Sequence, residues 1–174
     1  EGGDLLVIEL AALLHDIGDW KFHDGDETMG PKMAQEALRQ YNIPEKTIEH
    51  ICDIISTMSF KGAGVPTKMK TLEGAVVQDA DRLDAIGAIG IARAFAYGGH
   101  ANRLIHDPGQ KPVLHKTKDE YLHSKGTTIN HFREKLLLLK ERMNTRTAKR
   151  IAESRHRFME EYLVIFYNEW RGDR

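Results

Sequence analysis

The sequence predicts an all-α fold, and three observations carry that expectation. Apolar residues recur at helical spacing in one segment after another. No stretch alternates apolar and polar residues as a half-buried strand does. Helix punctuation falls at the ends of the periodic segments. With 174 residues the chain is long enough to bury one sizeable core, so a single domain over 1–174 is expected.

The elements follow in order. Asp4 is placed to N-cap a helix from Leu5 to Ile17, and Leu5, Leu6, Val7, Ile8, Leu10, Leu13 and Leu14 leave it almost no polar face. Such a helix is expected to be central and buried, with Gly18 as its stop. Asp19 to Gly30 reads as a polar loop. Pro31 opens a helix to Tyr41 and Pro44 another to Ser59, because proline suits the first helical position, whose N–H has no partner anyway. Lys61-Gly62-Ala63-Gly64-Val65-Pro66 is a turn. Helical stretches from Lys70 through Asp84 and from Ala85 to Tyr97 follow, the latter ending at Gly98-Gly99, with Gly87 and Gly90 as marks of close helix packing. Residues 98–126, rich in Gly, Pro, His and Lys, read as an ordered insertion or flap. Two long helices close the chain. Thr128 to Met143 turns Leu136 to Leu139 inward, and Arg146 to Trp170 carries Ile151, Phe158, Tyr162, Ile165 and Phe166 at helical spacing.

Composition narrows the function classes. Lys plus Arg at 25 against Asp plus Glu at 26 give a formal charge of −1, so neither a nucleic-acid nor a membrane partner is expected, and a small-molecule substrate fits better. The single cysteine, Cys52, cannot close an internal disulfide and reads as core filling; with no long apolar span, a reducing cytoplasm is the expected location.

The chemistry concentrates in Leu13-Leu14-His15-Asp16-Ile17-Gly18-Asp19 and in Asp79-Ala80-Asp81-Arg82-Leu83-Asp84. A charged doublet closing so apolar a run is costly unless an ion or an opposite charge compensates it. Consecutive residues on a helix project about 100° apart, an angle that lets His15 and Asp16 reach one ion at the helix edge. Imidazole plus carboxylate suits Mn, Fe, Co, Ni or Zn, with Mg also open, better than Ca, and the lack of thiolates argues against a structural zinc site. In the second cluster, residues two apart face nearly opposite ways, so Asp79 and Asp81 cannot both hold one ion on a regular helix. The apolar stripe through Val76, Ala80, Leu83 and Gly87 flanks both and leaves the choice open.

His15-Asp16-Ile17-Gly18-Asp19 followed by Gln78-Asp79-Ala80-Asp81-Arg82-Leu83-Asp84-Ala85-Ile86-Gly87 resembles the HD-domain metal-dependent phosphohydrolases, most closely the small bacterial YedJ/YpgQ-like branch. Ile129-Asn130-His131-Phe132, Arg142-Met143-Asn144 and His156-Arg157-Phe158-Met159-Glu160 carry the likeness to the end of the chain. It implies an all-helical HD fold and a single divalent ion, manganese first, held by His15, Asp16 and Asp81, with Asp81 taking the place of the family's last ligand. The family's first histidine lies on an earlier helix and has no counterpart ahead of His15. Because Glu1-Gly2-Gly3 is neither a start methionine nor a signal, an upstream segment bearing that ligand is expected.

On this resemblance Asp79 and Asp84 become supporting groups, a partner to a ligating histidine or an ion pair with Arg82. Asp19, four residues after His15, is the candidate general acid, with a loop cap as its plainer role. Lys21 and Arg82 are the phosphate clamps, one a point charge and one a bidentate fork. Asn130, His131 and Lys135 share roughly one helix face and are candidate substrate contacts. The acidic loop of His23, Asp24, Asp26 and Glu27 could hold a second Mg carried by a polyphosphate, or simply be solvated. His50 reads as structural, and His100, His106, His115 and His123 lack metal-ligand spacing.

The implied reaction is water attack on phosphorus, activated by the ion. A nucleotide is the substrate class, favouring hydrolysis of a (deoxy)nucleoside triphosphate, including release of pyrophosphate. A phosphodiesterase or monophosphatase on cyclic or simple nucleotides, and a non-catalytic nucleotide sensor, are the alternatives. A homodimer is left open.

Overall fold

In a computed structural model that describes residues 1–19, 22–23 and 25–173, the chain is all-α, with no strand among the described residues. Among the described residues eight α-helices are formed: α1 Leu5–Leu14, α2 Met29–Leu38, α3 Glu45–Thr57, α4 Leu72–Asp84, α5 Gly87–His100, α6 Lys118–Leu122, α7 Thr128–Glu134 and α8 Arg146–Arg171. They group into two compact units, one of residues 1–60 and 67–80, the other of 61–66 and 81–174.

In the first unit, α3 is the central element. Ile48, Ile51, Ile54 and Ile55 recur at three- and four-residue spacing and are buried against α1 and α2, where Val7, Ala11, Ala34 and Leu38 complete the core with Met58 and Val77. Asp4 caps α1 as expected, accepting from the Leu6 and Val7 N–H groups. The expectation of a buried α1 is overturned. Only Val7 and Ala11 are buried, and Leu13 is 79% exposed, because α1 packs a single face on α3 within this unit. An apolar helix buries only the faces for which a neighbour is present.

α1 also ends sooner than the sequence suggests, at Leu14, with a tightened turn in which the Ile17 N–H bonds the Leu14 carbonyl at 3.1 Å. Gly18 is needed here for close approach rather than for a left-handed cap. A Cβ on it would stand 2.8 Å from the Gly30 nitrogen and 2.9 Å from Gly30 Cα and the Met29 carbonyl carbon. Two backbones in contact leave no room for a side chain, and this contact turns the chain off the α1 axis toward α2.

Fully buried Gln78 pins α4 to the rest of the unit. Its Nε2 donates to the Met58 carbonyl at 2.9 Å and to the Thr67 carbonyl at 3.0 Å. At the start of α4, Glu73 accepts from the Asp4 N–H at 2.9 Å, and His50 Nε2 lies 3.0 Å from Thr71 Oγ1 and 4.0 Å from Glu73 Oε2. His50 therefore joins α3 to the start of α4, the structural role expected of it.

The second unit is built on α8 against α5, with Ile86, Ile91, Ile129, Phe132, Leu136, Leu139, Met143, Ala148, Ala152, Met159 and Leu163 buried. The expected phase of α8 is corrected: Ala148, Ala152, Met159 and Leu163 form the buried stripe, while Phe158 and Ile165 are exposed. Small alanines let the helices approach closely, and bulk alone does not place a residue inside. The long helix expected over 128–143 is broken. Lys135 leaves the helical region (φ −140°, ψ −62°), and 3₁₀ turns at Leu136–Leu138 and Lys140–Arg142 follow. At three residues per turn Leu136 and Leu139 fall on one side, so both reach the core.

The segment expected to form an insertion is docked rather than loose. The Leu104 and Ile105 carbonyls accept from the first N–H groups of α7, Asn130 Nδ2 donates to the Gln110 carbonyl at 2.9 Å, and buried Glu134 accepts from the Val113 N–H at 3.0 Å. α7 thus satisfies its exposed N-terminal donors with the segment that precedes it.

Candidate functional site

His15 stands at the C-terminal end of α1 with helical dihedrals, followed directly by Asp16. Its Nδ1 lies 2.8 Å from the Ala12 carbonyl, and since a carbonyl can only accept, Nδ1 carries the proton. This bond fixes the ring, and Nε2 then faces Asp16 Oδ2 at 3.3 Å. A ring held by Nδ1–H donation to a backbone carbonyl, with Nε2 beside a carboxylate, has the supporting geometry typical of a metal-binding histidine. The donor chemistry of this pair, one imidazole nitrogen and one carboxylate oxygen at a half-exposed helix end, fits a divalent ion.

Asp81 belongs to the second unit, partly exposed near the end of α4, while buried Asp79 falls in the first. Among the described residues no three His, Cys, Asp or Glu side chains gather at one point. The expected pairing of Asp84 with Arg82 is corrected. Asp84 is exposed and pairs with Arg93, one helix on, whereas Arg82 is 4% exposed and donates through Nη1 to the Arg142 carbonyl.

Asp19 is partly exposed and lies past the turn that ends α1, its carbonyl accepting from the Phe22 N–H at 2.9 Å. The turn that ends α1 stops at Gly18, so no helical turn stacks Asp19 over His15. Lys21 and Asp24 lie outside the described residues. Asp26 is engaged locally, accepting from the Thr28 hydroxyl at 2.7 Å and the Thr28 N–H at 2.8 Å ahead of α2. Those two bonds hold its carboxyl below the usual range.

Asn130, His131 and Lys135 do not present one face. Asn130 is buried with its amide on Gln110, His131 is partly exposed, and Lys135 sits where α7 breaks. Cys52 is half-buried, donates to the Pro31 carbonyl, and burial raises its thiol pKa, consistent with core filling. The sequence gives no sign of the roles of Glu134 or of Gln78, the latter noted only within a family phrase, because both depend on buried partners distant in sequence. Arg142 too is noted only within a family phrase, although this residue supplies a carbonyl to Arg82 and spreads its own side chain over the 61–66 turn.

Comparison with known proteins accounts for this arrangement. Residues 1–86 match the family model for the HD domain. YpgQ of Bacillus subtilis (strain 168) is 37% identical over 164 residues, spanning 94% of this chain and 72% of that protein. A crystal structure of an HD-superfamily hydrolase from Bacillus thuringiensis superposes with a TM-score of 0.70 at 43% identity, covering 98% of this chain and 76% of that one. The crystal structure of B. subtilis YpgQ in complex with ADP gives a TM-score of 0.71 at 35% identity over 96% of this chain and 75% of that one. On these matches and on the His15-Asp16 doublet, the chain belongs to the HD-domain family.

Proposed function

We propose that this protein is a divalent-metal-dependent phosphohydrolase acting on nucleotides, favouring hydrolysis of (deoxy)nucleoside triphosphates with release of pyrophosphate. The observation that carries the reading is the His15 ring, held by Nδ1 on the Ala12 carbonyl, with Nε2 3.3 Å from the Asp16 carboxylate. ADP bound to the relative YpgQ supports the nucleotide as substrate class.

His15 and Asp16 would hold the ion together with Asp81, and manganese suits this nitrogen and oxygen set. A bound divalent ion supplies Lewis-acid polarisation of a phosphoryl oxygen and a more acidic water. The chain's own groups do the rest. Arg82, with Nη1 on the Arg142 carbonyl, and Lys21 are the proposed cations that offset phosphate charge. Protonation of the leaving oxygen would fall to Asp19 or to water. His131 and Lys135 meet the remainder of the nucleotide, while Asn130 holds the Gln110 segment beside them. One unpaired cysteine fits a reducing cytoplasm.

The test is a hydrolysis panel of nucleoside triphosphates, cyclic nucleotides and monophosphates in ¹⁸O-labelled water with manganese. Label in a nucleoside monophosphate, with unlabelled pyrophosphate, is expected. His15→Ala should abolish turnover. Failure to hydrolyse any member of the panel, with nucleotide still bound, would replace the enzyme by a sensor.

A further inference from the structure

Arg82 follows Asp81 in sequence, and one partner of its guanidinium lies sixty residues away. Its Nη1 donates to the main-chain carbonyl of Arg142, the last residue of the second 3₁₀ turn. The Arg142 side chain is in turn spread across the 61–66 turn of the same unit. Nη1 lies 3.3 Å from both the Gly62 and Val65 carbonyls, and Nη2 donates to the Ala63 carbonyl. That turn is held from its other side as well, the Gly64 N–H donating to the His115 carbonyl at 2.9 Å. Gly62, at φ +120°, packs so closely that a Cβ would stand 3.1 Å from the Thr117 oxygen and 3.2 Å from the His115 oxygen.

A planar fork that grasps three carbonyls of one turn defines the position of its own backbone far better than a single ammonium could. The anchor is also partly desolvated, and burial pushes the Arg142 guanidinium below its ordinary pKa while leaving it charged. Anchoring of this kind is more than packing requires, since a carbonyl that merely ended a 3₁₀ turn could be satisfied by water.

From this chain of bonds we infer that Arg142 is a positioning residue, which through the 61–66 turn fixes the carbonyl that receives Arg82 Nη1 and so the placement of that guanidinium. The inference rests on the reading of Arg82 as a phosphate clamp, and the test separates the two.

The manganese-loaded chain is assayed on dATP as wild type, Arg82→Ala, Arg142→Ala and the double variant, with far-UV circular dichroism confirming the fold of each. Arg142→Ala should lower kcat by about 10²-fold, the cost of a misplaced group. In the Arg82→Ala background the same change should cost no more than about twofold, because the two residues act as one unit. A role confined to stability would instead cost the same factor in both backgrounds and would overturn the inference.

The second readout needs no turnover. In ¹H–¹⁵N spectra the Arg82 Nε–H resonance should shift and exchange faster with solvent in Arg142→Lys, which keeps the charge and loses the fork. An unchanged Arg82 resonance in a folded Arg142→Lys would also overturn it. Full activity in Arg82→Ala would remove the clamp reading, and the resonance alone would then decide the role of Arg142. Arg142→Lys serves both assays if Arg142→Ala does not fold.

Discussion

Gln78 offers the sharpest test of how the fold presents α4. Its Nε2 donates to two carbonyls, that of Met58, fully buried, and that of Thr67, partly solvated. Gln78→Leu keeps much of the volume and strands both acceptors. A buried unsatisfied carbonyl costs about 1–3 kcal/mol, and the Thr67 group falls at the low end because water reaches it, so the sum is about 2–4 kcal/mol. Gln78→Glu adds a sign that packing arguments cannot imitate. The introduced carboxyl can donate one hydrogen bond when protonated, whereas its ionised form faces two carbonyl oxygens in a dry site, so its folded-state pKa is raised above the unfolded value of about 4.3. Stability is therefore best preserved below that unfolded value. It falls by about 1.4 kcal/mol per pH unit above it, until the folded carboxyl itself ionises. Urea unfolding of wild type, Gln78→Leu and Gln78→Glu from about pH 4 to pH 7.5 measures both effects. If Gln78→Glu matches wild type at neutral pH, or improves as pH rises, the two-carbonyl anchor is wrong.

Three further outcomes are expected. Gly18→Ala places a Cβ within 3 Å of the Gly30 and Met29 backbone and should cost about 1–3 kcal/mol in urea unfolding, the range for overpacking a tight contact; a neutral result would mean that α2 moves aside freely. The Glu73 carboxyl is held below its ordinary pKa by the Asp4 N–H, so its contribution is present above the unfolded carboxylate pKa and is lost as pH falls through the folded one. Glu73→Gln should flatten the acid limb of Tm against pH, and an unaltered limb would dismiss that bond as a source of stability. Elemental analysis of the manganese-loaded chain should find metal lost in Asp81→Ala and kept in Asp79→Ala, and the reverse pattern would move the ligand to Asp79.

Helix identity was legible in the sequence because caps and periodicity are local. Asp4, Thr127 and Thr145 each accept from an N–H of the first turn they precede, and Gly172 at φ +76° closes α8. What a helix faces was not legible. Leu5, Leu6 and Leu13 mark α1 as apolar, but their burial depends on neighbours, and the phase of α8 was masked by large side chains on its exposed side. The break at Lys135 follows from tertiary demands, namely Glu134 turned to Val113 and Leu136 with Leu139 turned to the core, which no propensity encodes. In the candidate site the doublet announced itself by chemistry. The choice between Asp79 and Asp81 could not be made from an i, i+2 spacing, and the neighbours of Asp84 and Arg82 turned out to lie elsewhere in the chain.

The placement of the doublet at the end of α1, rather than within it, has its own physical logic. The last carbonyls of a helix lack intrahelical partners and carry the negative end of its dipole. His15 satisfies one of them, that of Ala12, by donating Nδ1–H, and this fixes the ring so that Nε2 faces Asp16. The same helix end and the Asp16 carboxylate together make the surroundings of Nε2 negative, so a cation there is favoured by two fields that already exist in the fold. A doublet one turn earlier would have its carbonyls spent on the helix ladder and its ring free to rotate. The close contact of Gly18 with Gly30 then turns the chain away just past Asp16, which keeps the helix end open. The apolar character of α1 serves the same end, since packing against α3 sets the position of the helix end that carries His15. Gly18→Ala should therefore weaken metal binding as well as stability, because its Cβ pushes apart the backbones that turn the chain past Asp16, and full manganese content in a folded Gly18→Ala by elemental analysis would refute this.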